Sequence, residues 1–388
     1  MNYKYPLASS SWDESELEAM QKVISSNQFT MGKKVREFEK KFANWVGSKY
    51  AAMVNSGSSA NLLMIASLFF TKNTEYKLKR GDEVIVPALS WSTTYAPLQQ
   101  YGLKLKFVDI DIRTLNYDLD ALKGAVNDNT SAIMVVNILG NANNFSEINK
   151  IIGNRKIVII EDNCESMGAV FDNCFTGTFG LMGSFSSFYS HHISTMEGGI
   201  ITTDDEELYQ IIISLRAHGW TRELPQHNHI IGEKSQNDFY ESFKFILPGY
   251  NLRPTELSGA LGIEQLKKIP DLLIGRRKNA EFFKQKLGNH DKFFIQSEIG
   301  LSSWFGFSLI IKPDQDFERE WLIEKLEKKG FECRPIVSGN FTKNEVLKYF
   351  NYEVYGELKN ADYVDQYGVF VGNHHYPLND AIEELHNI

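Results

Sequence analysis

A series of short apolar runs, each parted from the next by a stretch with helical spacing, constrains this chain most. The runs cover 51–54, 83–87, 105–109, 132–137, 157–161, 184–189 and 199–203. They are rich in β-branched residues and nearly continuous in apolar character, so they read as strands buried on both faces. Helices between such strands act as crossovers. The pattern therefore predicts an α/β fold with a mostly parallel, mixed sheet sandwiched by helices. Ligands of such sheets sit beyond the carboxyl ends of the strands, and candidate residues are sought there.

Ahead of the first strand, Ser11-x-x-Glu14 reads as a capping box, followed by Leu17, Met20, Val23 and Ile24 at helical spacing. A second amphipathic helix carries Val35, Phe38, Phe42 and Trp45 on one face and stops at Gly47. Beyond the strand series, Pro270 interrupts a long helical pattern between 262 and 286, and a proline there is expected to end or kink the helix. It marks a hinge into a smaller α+β domain with a strand at 306–311 and a helix at 317–329 closed by Gly330. The expected division is a large domain at 1–265 and a small one at 266–388. The arm at 1–30 is free to pack on either.

The 388 residues are ample for a large core. A formal charge of -8 argues against nucleic acid or an anionic membrane as the main partner, since both call for a basic face. Cys164, Cys174 and Cys333 are too scattered for a disulfide framework or an iron–sulfur site, so reduced thiols and no metal are expected. The start, M-N-Y-K-Y-P-L-A-S-S, lacks a signal-peptide core, and the apolar run at 62–70 is short of a membrane span. A cytoplasmic protein is the expectation.

Two strand ends carry polar patterns. Ser56-Gly57-Ser58-Ser59-Ala60-Asn61 follows a strand and opens a helix, where glycine permits close backbone approach and free N–H groups favour an anion. The pattern is weak alone, because many strand–helix turns look like it. I-V-I-I-E-D ends in two carboxylates, Glu161 and Asp162, which in isolation would be solvated strand-end charges.

The stretch S-F-S-S-F-Y-S-H-H-I-S-T-M-E-G-G, from Ser184 to Gly199, lifts these readings. It resembles the coenzyme-anchoring segment of fold-type I pyridoxal-phosphate enzymes in the sugar aminotransferase branch, the DegT/DnrJ/EryC1 type. In that branch a lysine tethers the coenzyme. Counted back from Glu197-Gly198-Gly199, His191 stands in the lysine's place, and no lysine occurs between Lys156 and Lys234. His192 matches no motif position and reads as an ordinary core histidine. The resemblance implies that Gly57, Ser58 and Ser186 hold the coenzyme phosphate. It also implies that Trp91 stacks on the ring, Asp162 pairs with its nitrogen, and Glu165 occupies a coenzyme-site position where relatives carry histidine or glutamine. Asn251, in G-Y-N-L-R, matches an asparagine that reaches the coenzyme of the other subunit, which implies a homodimer with shared sites. His218 and Arg222, in R-A-H-G-W-T-R, and Glu332 and Arg334, in F-E-C-R-P, match segments that face the sugar nucleotide.

An imidazole cannot form the stable imine that an amine forms. The site therefore implies pyridoxal 5′-phosphate and pyridoxamine 5′-phosphate held without a covalent tether, with His191 as a proton carrier of near-neutral pKa. Loss of the C3 hydroxyl from a 4-keto sugar becomes the productive outcome, yielding a 3-deoxy-4-keto sugar and ammonia. The histidine-for-lysine pattern resembles the 3-dehydratases of that branch, which act on the nucleotide-linked sugar GDP-4-keto-6-deoxymannose in GDP-colitose and O-antigen synthesis. In those enzymes L-glutamate restores the amine form. A nucleotide-sugar 4-aminotransferase and a non-catalytic coenzyme-binding scaffold are the competing readings.

Overall fold

The computed structural model describes residues 3–388, so Met1 and Asn2 of the arm lie outside the described residues. An eight-stranded sheet runs in the order Tyr50–Val54, Gly199–Thr203, Met182–Ser186, Val158–Asp162, Thr130–Val136, Glu83–Pro87, Lys104–Val108, Tyr352–Val354. Every pairing from Met182–Ser186 to Tyr352–Val354 is parallel. Gly199–Thr203 runs antiparallel to both of its neighbours. The sheet is mostly parallel and mixed, as its near-continuous apolar strands require.

Its last strand comes from far down the chain. Lys106, 4% exposed, lies 2.8 Å from Glu83 and 3.2 Å from Glu353, tying that added strand to the sheet. Removing one member of the buried Lys106–Glu83 pair typically costs ~3–5 kcal/mol, whereas Glu353 on the added strand is more exposed and its contact is worth less. A second, antiparallel sheet orders Phe293–Phe294, Gly306–Ile311, Gly368–Gly372 and Cys333–Arg334. Phe283, Trp304, Phe307, Leu322 and Leu326 belong to its own apolar core.

Two local expectations are corrected. The first helix, Glu14–Ser26, is capped by Asp13, not Ser11: Asp13 accepts from Ser15 N at 2.8 Å, and Glu16 accepts from Asp13 N at 2.8 Å. Glu16 is buried and tied to Lys268 and Gln265, a tertiary anchor that local spacing does not reveal. Pro270 does not end its helix, which runs unbroken from Glu256 to Leu287. A proline there costs ~3 kcal/mol. The helix tolerates it because one stretch buries Ile269, Leu272 and Leu273 in one core while Phe283 and Leu287 enter another. Gly47 closes the second helix at φ 83, as expected.

The arm crosses the second sheet and then reaches the large one. Tyr5 bridges Phe331, Ser9 Oγ lies 2.8 Å from His374 Nδ1, and Trp12 Nε1 donates to Ser194 O at 3.0 Å. Among the described residues no helix is long and apolar enough to cross a membrane.

Candidate active site

A cavity of about 330 Å³ opens at the carboxyl edge of the large sheet. Gly57, Ser58, Trp91, Asp162, Glu165, Ser186, His191 and Arg334 all line it. At one end, Ser56 caps the helix Gly57–Phe70 by accepting from Ser59 N at 3.1 Å. The first N–H groups of a helix have no intrahelical partner, so those of Gly57 and Ser58 remain available to an anion. A Cβ on Gly57 would fall 2.8 Å from both Cys164 Sγ and Ser186 Cβ, so only glycine fits where the turn meets Ser186. Trp91 stands at the rim, 54% exposed, at the start of the helix Ser92–Gln100.

Strand alternation decides the fate of the two adjacent carboxylates. Glu161 turns from the cavity and accepts from Gly177 N at 2.7 Å and Phe179 N at 2.6 Å, clamping that loop. Asp162 turns into the cavity, 6% exposed. It accepts from Thr94 Oγ1 at 2.6 Å, Asn61 Nδ2 at 2.8 Å and Cys164 N at 3.2 Å. Its position is fixed by three donors before any ligand arrives. Glu165 accepts from Leu139 N at 3.1 Å. Burial pushes its carboxyl up from the ordinary range, against the opposing pull of Arg334.

His191 sits in a turn, its N–H donating to Phe188 O at 2.9 Å. Its ring packs 5.0 Å from that of Phe305, and its Nδ1 is enclosed with no hydrogen-bond partner. The expected near-neutral imidazole is not what this setting produces. Burial pushes the pKa down to about 3, and the nearby Arg334 and Arg276 act in the same direction. The ring is held neutral, in the form of a base. Among the described residues no lysine lines the cavity.

Other expected residues lie elsewhere. His218 and Arg222 gather around Trp220: the His218 ring is 4.7 Å from it, and the Arg222 guanidinium lies over it at 4.7 Å. Asn251 pairs with Ala217 on the same side and accepts from Arg253 Nε at 3.0 Å. Glu332 accepts from Leu7 N at 2.8 Å and fastens the arm. Its near neighbour Arg334 lines the cavity with its guanidinium over Phe370 at 4.7 Å.

Sequence reasoning missed Asn61, Thr94, Asn137 and Glu197, which also line or brace the site. Asn61 was within reach, one helical turn after Gly57 on the same helix. Asn137 directly follows the strand Thr130–Val136, the place where such sheets bind ligands.

The DegT/DnrJ/EryC1/StrS aminotransferase family model matches residues 10–381. The chain belongs to that family. The chain is also similar to the GDP-4-keto-6-deoxy-D-mannose 3-dehydratase of Escherichia coli O55:H7, at 62% identity over 385 residues and 99% of each chain. Two solved structures agree in shape as well. The E. coli GDP-4-keto-6-deoxy-D-mannose-3-dehydratase with bound hydrated PLP superposes at a TM-score of 0.98, with 62% identity, 100% of this chain and 99% of that one. A GDP-4-keto-6-deoxymannose-3-dehydratase holding a trapped PLP-glutamate geminal diamine gives 0.97, at 62% identity and 99% of both chains.

Proposed function

We propose that this chain is a coenzyme-dependent nucleotide-sugar 3-dehydratase. It removes the C3 hydroxyl of GDP-4-keto-6-deoxymannose and uses L-glutamate to restore the amine form of its coenzyme. One observation carries the proposal: a neutral imidazole, His191, faces the same cavity as the braced carboxylate Asp162, and no lysine among the described residues lines that cavity.

The residues suit pyridoxal and pyridoxamine 5′-phosphate. Gly57, Ser58 and Ser186 offer N–H and hydroxyl donors for a phosphate, Trp91 a flat face for a ring, and Asp162 an acceptor for a ring N–H. When bound, the coenzyme supplies an amine that condenses with the 4-keto group and a ring that withdraws electrons from the adjoining carbon. Asp162 keeps the ring nitrogen protonated, held in place by Thr94, Asn61 and Cys164 N. His191, neutral, takes a proton from the carbon bearing that amine. As imidazolium it then has a proton to give to the departing hydroxyl. Assistance of this kind is worth ~10²–10⁴-fold. Arg334 is suited to an anionic part of the substrate.

We further infer a cytoplasmic homodimer with shared sites, to which Asn251, His218 and Arg222 contribute across the interface. The exposed aromatics Phe243 and Phe245 beside Trp220 support a covered face there.

The test mixes the chain with pyridoxal phosphate, L-glutamate and GDP-4-keto-6-deoxymannose, then assays 2-oxoglutarate, ammonia and the mass of the sugar. Loss of the C3 oxygen with release of ammonia is expected. A 4-amino sugar would identify an aminotransferase instead, and no turnover would leave a binding scaffold.

A further inference from the structure

The chemistry above leaves the second histidine without a role. His192 is buried, and its Nε2 lies 3.2 Å from the carbonyl oxygen of Ser303. A carbonyl only accepts, so Nε2 carries the proton in this bond. Its Nδ1 is enclosed and unpartnered. An apolar residue would fill the same space without burying an idle polar atom, so the filler explanation is a poor one.

Both histidines pack on one ring. The Phe305 centroid is 5.0 Å from that of His191 and 5.7 Å from that of His192. Phe305 is itself fixed from two sides: its N–H donates to Leu139 O at 3.0 Å, and its carbonyl accepts from Arg276 Nη1 at 3.0 Å. Trp304, just before it, holds a left-handed φ of 47. Ser303 N donates to Gly140 O at 2.9 Å, where a Cβ would meet the Phe305 nitrogen at 2.8 Å. Segment 302–305 is thus a rigid wall joined to Leu139, whose N–H donates to Glu165 in the cavity. Among the described residues the His191 side chain has no hydrogen-bond partner, so packing sets its ring. Its Nδ1 is enclosed, while Nε2 is not among the enclosed atoms.

Resting on the assignment of His191 as proton carrier, we propose that His192 is a positioning residue. By donating to the Ser303 carbonyl it docks the His191 turn on segment 302–305. The His191 ring is thereby held against Phe305 with Nε2 open to the cavity. Other ties on the stretch, from Gln265 and Trp12, reach Ser194 and leave the His191 ring free to turn.

The test compares His192→Phe, which fills the space without a donor, with His192→Gln, which keeps an N–H. Two quantities are read: kcat and KM for dehydration, and the ¹⁵N NMR titration of His191 in the chain without coenzyme. The groups facing His191 are Arg334, Arg276 and His192, and Asp162, Glu165 and Glu197 share its cavity. His192→Phe is expected to lower kcat roughly 10²-fold, the scale of a small misplacement of a reacting group, with KM changed less than about twofold. The His191 titration should move up toward the ordinary histidine range as its niche loosens. His192→Gln should regain most of both. If His192→Phe loses melting temperature but keeps kcat and the His191 titration, His192 is a packing residue and the proposal is wrong. Equal losses in both variants would overturn it too. Should His192→Phe not fold, His192→Met takes its place with the same expectations. A wild-type chain that removes no C3 oxygen defeats the proposed function instead, and the NMR comparison still decides whether His192 sets the His191 ring.

Discussion

The cavity around Asp162 and the face around Trp220 differ in how far one chain completes each of them. In the cavity, Asp162 has three donors, Glu165 has a backbone N–H, and His191 is walled by Phe305. At the other face, Arg222 and Arg253 lie over Trp220, and Phe243 and Phe245 stand exposed. Buried polar atoms cost free energy unless paired, so a small-molecule site must be braced beforehand. A face that a second protein surface covers is under no such demand. The contrast separates residues that one chain braces for chemistry from residues that await a second copy in the proposed homodimer.

The sharpest way to break that contrast is His191→Asn. It should lower dehydration by ~10²–10⁴-fold while pyridoxal phosphate still binds, read by sugar mass and by coenzyme absorbance. Turnover near the wild-type rate would remove His191 from the mechanism. Next in size is Asp162→Asn, expected to slow both half-reactions on the order of 10²-fold as a fixed charge is lost. Single-turnover rates with glutamate and with sugar test this separately.

On the open face, Arg222→Glu should raise the dimer dissociation constant about tenfold, equal to ~1.4 kcal/mol, in sedimentation velocity. An unchanged constant would place the interface elsewhere. A smaller effect is expected from Glu332→Gln, which keeps the contact to Leu7 N but weakens it. A loss of ~1 kcal/mol in unfolding free energy with unchanged kcat should set Glu332 apart from Arg334, its neighbour in the cavity.

The last prediction concerns acid. His191 is pushed down to about 3 and His374 to about 4, each chiefly by burial. Both are neutral when folded and protonated when unfolded between those values and about 6.5, so the unfolded state binds more protons there. Stability should fall as pH drops from about 6.5 toward 4, seen as a declining denaturant midpoint. Activity, by contrast, should show no acid limb near 6.5 from His191. A limb at that pH would mean its niche is more open than the structure shows.

Much of this was legible beforehand, for identifiable reasons. Strand candidates emerged because burial on both faces leaves a continuous apolar run. Gly57, Asp162, Ser186 and His191 stood out through the resemblance to the coenzyme-anchoring family, and each lies at or a few residues beyond a strand end. Glu332 and Arg334 looked alike in F-E-C-R-P, yet one fastens the arm and the other lines the cavity. Local spacing cannot tell them apart, because their environments come from residues more than three hundred positions away in one case and from another sheet in the other.

The sequence by itself determined the layered α/β class, the carboxyl-edge location of the chemistry, and the histidine in place of an anchoring amine. The first two depend on periodicity, a local property, and the third on a motif whose family resemblance shows where a lysine belongs. Only the tertiary structure decided that the imidazole is neutral, that Pro270 lies inside an unbroken helix, and that two adjacent histidines share one aromatic wall. Each of those outcomes depends on what distant segments bury, and burial is a property of the assembled fold.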